Sequence, residues 1–316
     1  MTSMRANRGH TYRERIGPAG AGRALSDYLA TRYTHTPEAD WIARIREGRV
    51  LIDGKPVEPG SILSAGQDLT WDRPGWVEPP TPLSFAVLYE DDDVVAVAKP
   101  AGLPTLPGAD YLENTLLHRL ERYAPGLHPL HRLGRHTSGI VLCARTGRAR
   151  AALSLAWRTG AVSKTYRALA SGSPSSDTFE VTTPIGPVPY PPLGSLHAAS
   201  DEGKPARSIV RVLRRFDDAF LCDVEIPTGR PHQIRIHLAA AGHPLAGDPL
   251  YVAGGLPRAG GHALPGHGGY SLHAMQLTFP HPNGRGPITV RCQPPVSLRT
   301  APDSPRAPRP RDLPSG

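Results

Sequence analysis

His131-Arg132-Leu133-Gly134-Arg135-His136-Thr137-Ser138-Gly139 runs directly into Ile140-Val141-Leu142-Cys143-Ala144-Arg145. The first nine residues read as a tight polar loop with two arginines, two hydroxyls and two glycines. Gly134 and Gly139 can take backbone angles closed to other residues, or let a neighbouring chain come close. The five residues after Gly139 are apolar without alternation. That pattern predicts a strand covered on both faces. A polar loop on a rigid strand is a common way to hold a reactive site. Taken alone, a surface turn before a core strand explains the stretch more economically, so the rest of the chain decides between the two.

The chain has 316 residues, room for one large domain and a small one or for two medium domains. Lys and Arg number 36 against 28 Asp and Glu, a net charge of +8. The excess favours a polyanionic partner, without separating nucleic acid from an anionic membrane surface. Cys143, Cys222 and Cys292 lie far apart and form no CxxC pair, which argues against a zinc ribbon. Cys143 and Cys222 sit inside apolar patterns and are expected as buried thiols. No apolar stretch follows Met1, and no run of eighteen apolar residues occurs. A soluble, cytoplasmic protein is therefore expected, with a monomer as the default.

Residues 1–20 are basic and Gly-rich, the composition of a loose arm. Residues 22–77 look like a small module. Leu25, Tyr28 and Leu29 share one helical face; Thr36-Pro37 offers a helix start; Trp41, Ile42 and Ile45 form a second stripe that Gly48 ends. Val50-Leu51-Ile52 is a short strand, and Asp53-Gly54 a strong hairpin signal. Arg44, Arg46, Arg49 and Lys55 gather at that corner, where a solvated helix face would also place them. A Pro-rich linker is expected from Trp71 through Pro82, and the boundary between the two domains is set at 78–84.

A larger domain is expected over 85–296. It opens with strands at Phe85–Tyr89 and Val94–Ala98 around Asp91, Asp92 and Asp93, which lack the ligand spacing of a calcium loop. Asn114 is placed to cap a helix carrying Leu116, Leu117, Leu120 and Tyr123. A helix over 148–158 should carry Leu155 and Trp157 inward or against neighbours. Lys164–Leu169 is a strand, 171–207 is loop-like with short strands, and Phe220, Cys222, Val224 and Ile226 alternate along the return strand of a hairpin. Pro231–Ala241 reads as a helix ended by Gly242. The Gly- and His-rich 252–271 reads as mobile, Leu272–Phe279 as a last core strand, and 297–316 as a disordered tail.

The densest polar cluster is Thr228-Gly229-Arg230-Pro231-His232-Gln233-Ile234-Arg235-Ile236-His237. His232 and Arg235 fall on one helical face, and the loop with the helix start offers amide donors to an anion. Arg230 and Arg235 suit phosphate or carboxylate. His232 and His237 are five apart, more than one turn, which disfavours a shared metal.

Three stretches in order, His-Arg-Leu-x-x-x-Thr-Ser-Gly, Lys164-x-Tyr166-x-Ala168 and Thr-Gly-Arg-x-His-Gln-Ile-Arg-x-His, resemble the RluA-type family of RNA pseudouridine synthases. So do Lys99-Pro100-Ala101-Gly102, Gly242-His243-Pro244 through Gly247-Asp248 and Tyr251, and Leu272-His273-Ala274 with Phe279, His281 and Pro282. The similarity spans about 85–295. The module before it, with Arg-Glu-Gly-Arg-Val-Leu-Ile-Asp-Gly-Lys-Pro-Val, resembles the S4 RNA-binding module over roughly fifty residues.

The resemblance implies an α+β fold with a central antiparallel or mixed sheet, flanking helices and a small S4-like N-terminal domain. It implies RNA as partner, either rRNA or tRNA, with no cofactor and no metal. A uridine is flipped out of its RNA, and its base is detached from C1′, turned and rejoined through C5. Tyr166 corresponds to the tyrosine that stacks on the base. Arg235 corresponds to the partner of the catalytic carboxylate, and Arg132 to a residue that organises the flipped nucleotide. His131, Thr137, Ser138, Lys164, Arg230, His232 and Gln233 are candidates for substrate and RNA contact, joined by Arg44, Arg46, Arg49 and Lys55 in the small module.

Gly134 departs from the family pattern. It stands where the family motif His-Arg-Leu-Asp has its catalytic aspartate, and glycine can be neither nucleophile nor base. Three readings follow: an active synthase with its carboxylate supplied from elsewhere, a non-catalytic RNA-binding relative, or action on another glycosidic or nucleotide substrate. Asp248 is the motif-borne candidate for the first, and His136 a weaker one. Arg235 without its partner must be solvated or find another anion.

Overall fold

The structure, a computed structural model, describes residues 6–33, 36–300 and 303. It divides into two compact units, Met1–Glu78 and Pro79–Gly316. The first contains β1 (His10–Arg15), α1 (Leu25–Arg32), α2 (Glu38–Arg46), β2 (Val50–Ile52), β3 (Lys55–Pro56) and β4 (Asp68–Arg73). Its antiparallel sheet runs in the order β1-β4-β2-β3. The core is Leu25, Leu29, Trp41, Ile45, Val50, Leu69 and Trp71, with Tyr12 stacked on Trp71 at 4.1 Å. Gly48 ends α2 with φ 71°, and Asp53 and Gly54, both at positive φ, turn β2 into β3.

Three expectations for this unit need correction. Residues 10–15 are not a loose arm but β1. That strand half-buries only Tyr12 and Glu14 and is held by pairing with β4, so its sequence carries a single apolar residue and no alternating apolar run. Trp71–Arg73 is not linker: Leu69 and Trp71 alternate into the core along β4. Helix α2 is capped at Pro37 with no side-chain hydrogen bond from Thr36.

The second unit has β5 (Ala86–Glu90), β6 (Val94–Lys99), α3 (Leu116–Tyr123), β7 (His128–Pro129), β8 (Ser138–Ala144), α4 (Gly147–Arg158), β9 (Ser163–Ser171) and β10 (Thr178–Val181). It continues with β11 (Ile185–Tyr190), β12 (Gly194–Ala199), β13 (Ser208–Arg215), β14 (Ala219–Glu225), α5 (Gln233–Ala240), β15 (Tyr251–Val252), β16 (Leu256–Pro257), β17 (Leu272–Pro280) and β18 (Pro287–Arg291). The central sheet runs β10-β13-β14-β9-β17-β8-β6-β5, with β7 on β8 and β18 on β17. Only the β17–β8 pairing is parallel within it, so the sheet is mixed.

The unbroken apolar run of β8 has a direct cause. Val141 and Cys143 enter a core on one face, and Ile140 and Leu142 enter a second core on the other. β6 divides in the same way, Val95 and Val97 against Val94 and Ala96. All three cysteines are free and buried. Asp91 accepts from Tyr89 Oη and from the amides of Asp93 and Val94, and the described residues hold no acidic, His or Cys cluster fit for a metal. No helix among them is long and apolar enough to cross a membrane.

Here too the structure corrects details. Thr115 caps α3, accepting from the His118 amide at 3.3 Å, one residue after Asn114. Leu155 points outward, 53% exposed, while Leu153 and Ala156 fill the core from α4. Helix α5 starts at Gln233, because His232 takes a left-handed φ of 55°. The 252–271 stretch is fixed by contacts described below. In the expected tail, 301–302 and 304–316 lie outside the described residues. Asp303 accepts from the buried Arg167 guanidinium at 2.8 Å, so the described residues reach beyond 296 as ordered structure.

Candidate active site

The opening loop is clamped from below. Lys99 is fully buried and its ammonium donates to the carbonyls of Pro100, Leu103 and Arg135 at 2.7–3.1 Å. Leu133 exchanges two hydrogen bonds with the Thr105 hydroxyl, and the Thr137 amide closes a turn on the Gly134 carbonyl at 3.0 Å. At the loop's end, Gly139 has φ 110°, and a Cβ there would stand 2.2 Å from the Ala274 carbonyl oxygen. Only glycine lets β8 approach β17 this closely. Ser138 Oγ meets His273 Nδ1 at 2.8 Å, while His273 Nε2 donates to the Cys292 carbonyl. His131 Nε2 accepts from the Leu142 amide at 3.1 Å, and its ring stacks on Trp157. His131 and Ser138 therefore hold strands in place.

Helix α5 brings up the second wall. Arg235 and Asp248 form a bidentate pair, Nε–Oδ2 and Nη2–Oδ1 both 2.7 Å, with the Asp248 side chain wholly enclosed. Arg235 Nη1 also donates to the Pro265 carbonyl, and Asp248 Oδ1 also accepts from the amides of Leu250 and Tyr251. Burial opposes the Arg235 charge, but its bonds to Asp248, with the nearby Tyr270 and Tyr251, outweigh this and raise its pKa. Asp248 is thus the anion that Arg235 requires. It is also fully spent, and cannot be the carboxylate supplied from elsewhere.

The other polar residues of this wall are tied in a chain. Gln233 accepts from Thr228 Oγ1 and the Arg230 amide, and donates to the Arg207 carbonyl and Ser208 Oγ. Lys164 Nζ reaches the Thr228 carbonyl at 3.5 Å, and burial lowers its pKa. Tyr251 Oη donates to the His197 carbonyl, so His232 Nδ1 donates to Tyr251 Oη at 2.7 Å and Nε2 is left as an acceptor. Burial first, then Arg235, pushes the His232 pKa down to about 4 and keeps the ring neutral.

Between the walls lies a pocket of about 120 Å³, lined among others by Arg132, Gly134, Thr137, Tyr166, His232 and Tyr270. It adjoins a groove of about 760 Å³ that shares Arg132, Gly134, Arg230 and His232 and adds Arg135 and His197. Among the described residues no carboxylate lines either one. Burial pushes the Tyr166 phenol up to about 12. The structure therefore brings Arg132, Gly134, Thr137, Tyr166, Arg230, His232, Gln233 and Arg235 together. His136 packs against Gly268 and does not line the pocket.

Tyr270 was not visible as a site residue in the sequence. Its oxygen lies 3.4 Å from where a Cβ on Gly134 would stand, and the Arg235 guanidinium lies 4.3 Å from its ring centre. The 264–270 segment is pinned over the floor loop. Arg135 Nε donates to the Gly266 carbonyl and its Nη1 to Tyr111 Oη, and Arg235 holds Pro265. A glycine- and histidine-rich composition suggests mobility; two guanidinium-to-carbonyl contacts from distant residues hold the stretch at Pro265 and Gly266.

With this geometry in hand, comparison with known proteins is decisive. A family model described as RNA pseudouridylate synthase matches residues 93–240. An uncharacterized RNA pseudouridine synthase of Synechocystis sp. is 45% identical over 278 residues, covering 87% of this chain and 96% of the relative. The chain belongs to the RluA-type RNA pseudouridine synthases. RNA pseudouridine synthase 5 of Arabidopsis thaliana is 41% identical, over 87% and 89% of the two chains. The ribosomal large subunit pseudouridine synthase D of Neisseria meningitidis is 34% identical, over 82% and 70%. The solved human RNA pseudouridylate synthase domain containing 1 shares the fold, with TM-score 0.56 and 23% identity over 70% and 89%. The α+β pseudouridine synthase fold implied by the motifs is therefore the fold of this chain.

In the first unit the four basic residues stand apart in character. Arg44 lies 4.8 Å from the Trp41 ring and 5.8 Å from Trp71. Arg49 pairs with Glu47 at 3.0 Å. Arg46 and Lys55 are exposed.

Proposed function

We propose that this protein converts a uridine of a structured RNA into pseudouridine, acting as a cytoplasmic monomer without cofactor or metal ion. Ribosomal RNA is the first candidate substrate, since the Neisseria relative is named for the large subunit, and tRNA the second. The observation that carries the reading is the acid-free pocket between Tyr166 and Arg132, opening into a groove lined by arginines. Its volume lies well under the roughly 300–1,000 Å³ of drug-sized sites, which suits one planar base. Tyr166 offers a face for stacking, and Arg132 and Arg230 offer charge to the flanking phosphates. The small unit, read as S4-like, adds Arg46, Arg49 and Lys55 as further phosphate contacts.

A second reading, RNA binding without turnover, is favoured by one specific observation. Position 134 has no side chain, and Asp248 is locked onto Arg235. Purified protein incubated with total rRNA and tRNA from cells lacking the gene separates the two. New pseudouridine is expected at discrete sites. No product from any RNA, with salt-sensitive RNA binding retained, would leave the second reading standing.

A further inference from the structure

The pocket must contain a group able to act at the sugar if it is to isomerise uridine, and its lining narrows the choice. Four described side chains there carry a nucleophilic atom: Thr137, Tyr166, His232 and Tyr270. Thr137 has an aliphatic hydroxyl, a far weaker acid than a phenol. Tyr166 is held protonated by burial. His232 is anchored through Nδ1 and is a weak base at its lowered pKa. Tyr270 remains. Its hydroxyl, like those of Thr137 and Tyr166, has no hydrogen bond among the described residues, whereas the hydroxyls of Tyr111, Tyr190 and Tyr251 are all engaged.

Its placement is the stronger argument. The Tyr270 oxygen lies 3.4 Å from where a Cβ at position 134 would stand, one of the two side-chain atoms nearest to it. Arg235 stands 4.3 Å from the Tyr270 ring, and its other contacts, to Asp248 and the Pro265 carbonyl, fix it there. A fixed guanidinium favours negative charge developing on the phenol. The backbone is equally constrained. Gly268 admits the His136 ring, and Gly247 and Gly269 pack so closely that a Cβ on either would stand within 2.5 Å of the other's carbonyl oxygen.

We propose that Tyr270 is the catalytic nucleophile of this protein, attacking C1′ of the bound uridine in place of a carboxylate at position 134. The inference rests on the isomerisation proposed above. Tyr270 Oη forms a bond to C1′ as the N1–C1′ bond breaks, and the phenol proton passes to N1 of the departing uracil. The uracil turns within the pocket. Its C5 then attacks C1′ and displaces the phenolate, which takes up the proton lost from C5. The product holds a C5–C1′ bond and an N1–H, the phenol is regenerated, and no oxidant, reductant or other reactant enters. Tyrosine is an attested glycosyl nucleophile, and a phenolate leaves readily enough for the second half to proceed.

The test is Tyr270→Phe, which keeps the ring and its contact with Arg235. Pseudouridine formation on the RNA that the wild type modifies should fall by at least about 100-fold, with RNA affinity within about threefold of wild type, well under the tenfold that each 1.4 kcal/mol makes. Adding Gly134→Asp to that variant should restore product, because a Cβ at 134 meets only Thr137 Oγ1 and Tyr270 Oη, both at 3.4 Å. Wild-type rates from Tyr270→Phe would overturn the inference while leaving the isomerase reading intact. An inactive Tyr270→Phe that has lost RNA binding and is not restored by Gly134→Asp would make Tyr270 a wall of the pocket, and also overturns it. No product from the wild type on any RNA overturns both.

Discussion

The two walls of the pocket are built on opposite principles. On the α5 side nearly every polar atom is spent: Arg235 on Asp248 and Pro265, Gln233 on four partners, His232 on Tyr251. On the loop side Gly134 offers no side chain, Arg132 is exposed, and Tyr270 presents an untied hydroxyl. Both walls carry motif residues, so a motif does not by itself mark contact with substrate. The saturated wall sets the shape of the pocket. The open wall has groups left over to meet a ligand.

If that contrast is right, the largest effect comes from breaking the saturated wall. Asp248→Ala strands a buried guanidinium, and should cost about 3–5 kcal/mol of stability; a thermal or urea melt reads this directly. A loss under about 1 kcal/mol would mean that Arg235 is solvated and the wall is not fixed by the pair.

Acid probes buried rings on both sides of the pocket. Burial, then Lys164, holds the His131 pKa down to about 3; burial, then Arg235, holds His232 to about 4; burial, opposed by the Cys292 carbonyl and helped by Arg167, holds His273 to about 4. Unfolded histidines take a proton near 6.5. Between about 6.5 and 4 the unfolded chain therefore binds more protons, and stability falls as pH drops through that window. Melting temperature should decline steadily from pH 7 to 4.5, and a flat profile would contradict buried neutral rings.

The smallest effect on stability is expected on the open side. Arg132→Ala should leave stability within about 0.5 kcal/mol yet weaken RNA binding and lower its salt slope by about one. Arg46→Ala with Arg49→Ala should flatten the slope further. Unchanged RNA binding in that double variant would remove the small unit from RNA recognition.

Much of this was legible in the chain. β8 announced itself because residues feeding two cores leave no polar position, and α5 because its glycine stop and polar start bracket an apolar run. β1 was illegible because it half-buries a single apolar side chain, Tyr12, and depends on β4. The exchange of partners at Arg235 was half legible. Gly134 told that an anion was missing, but that Asp248 fills the role depends on a contact thirteen residues away across a turn. Tyr270 was hidden for a different reason. It follows a segment whose glycines suggest freedom, and only the grip of Arg135, His136 and Arg235 makes it rigid.

β17 deserves a last consideration as an event in time. It lies between β9 and β8 and joins two half-sheets, β10-β13-β14-β9 and β8-β6-β5. Gly139 of the floor loop therefore finds its neighbour Ala274 only when the last long strand emerges. Contacts of such sequence separation form slowly. A growing chain can pack each half early, but the pocket between Tyr166 and Gly134 cannot close before β17 has left the ribosome. Any nascent or truncated chain ending just before Leu272 would carry every pocket-lining residue of the site except Leu272 itself and still have no site.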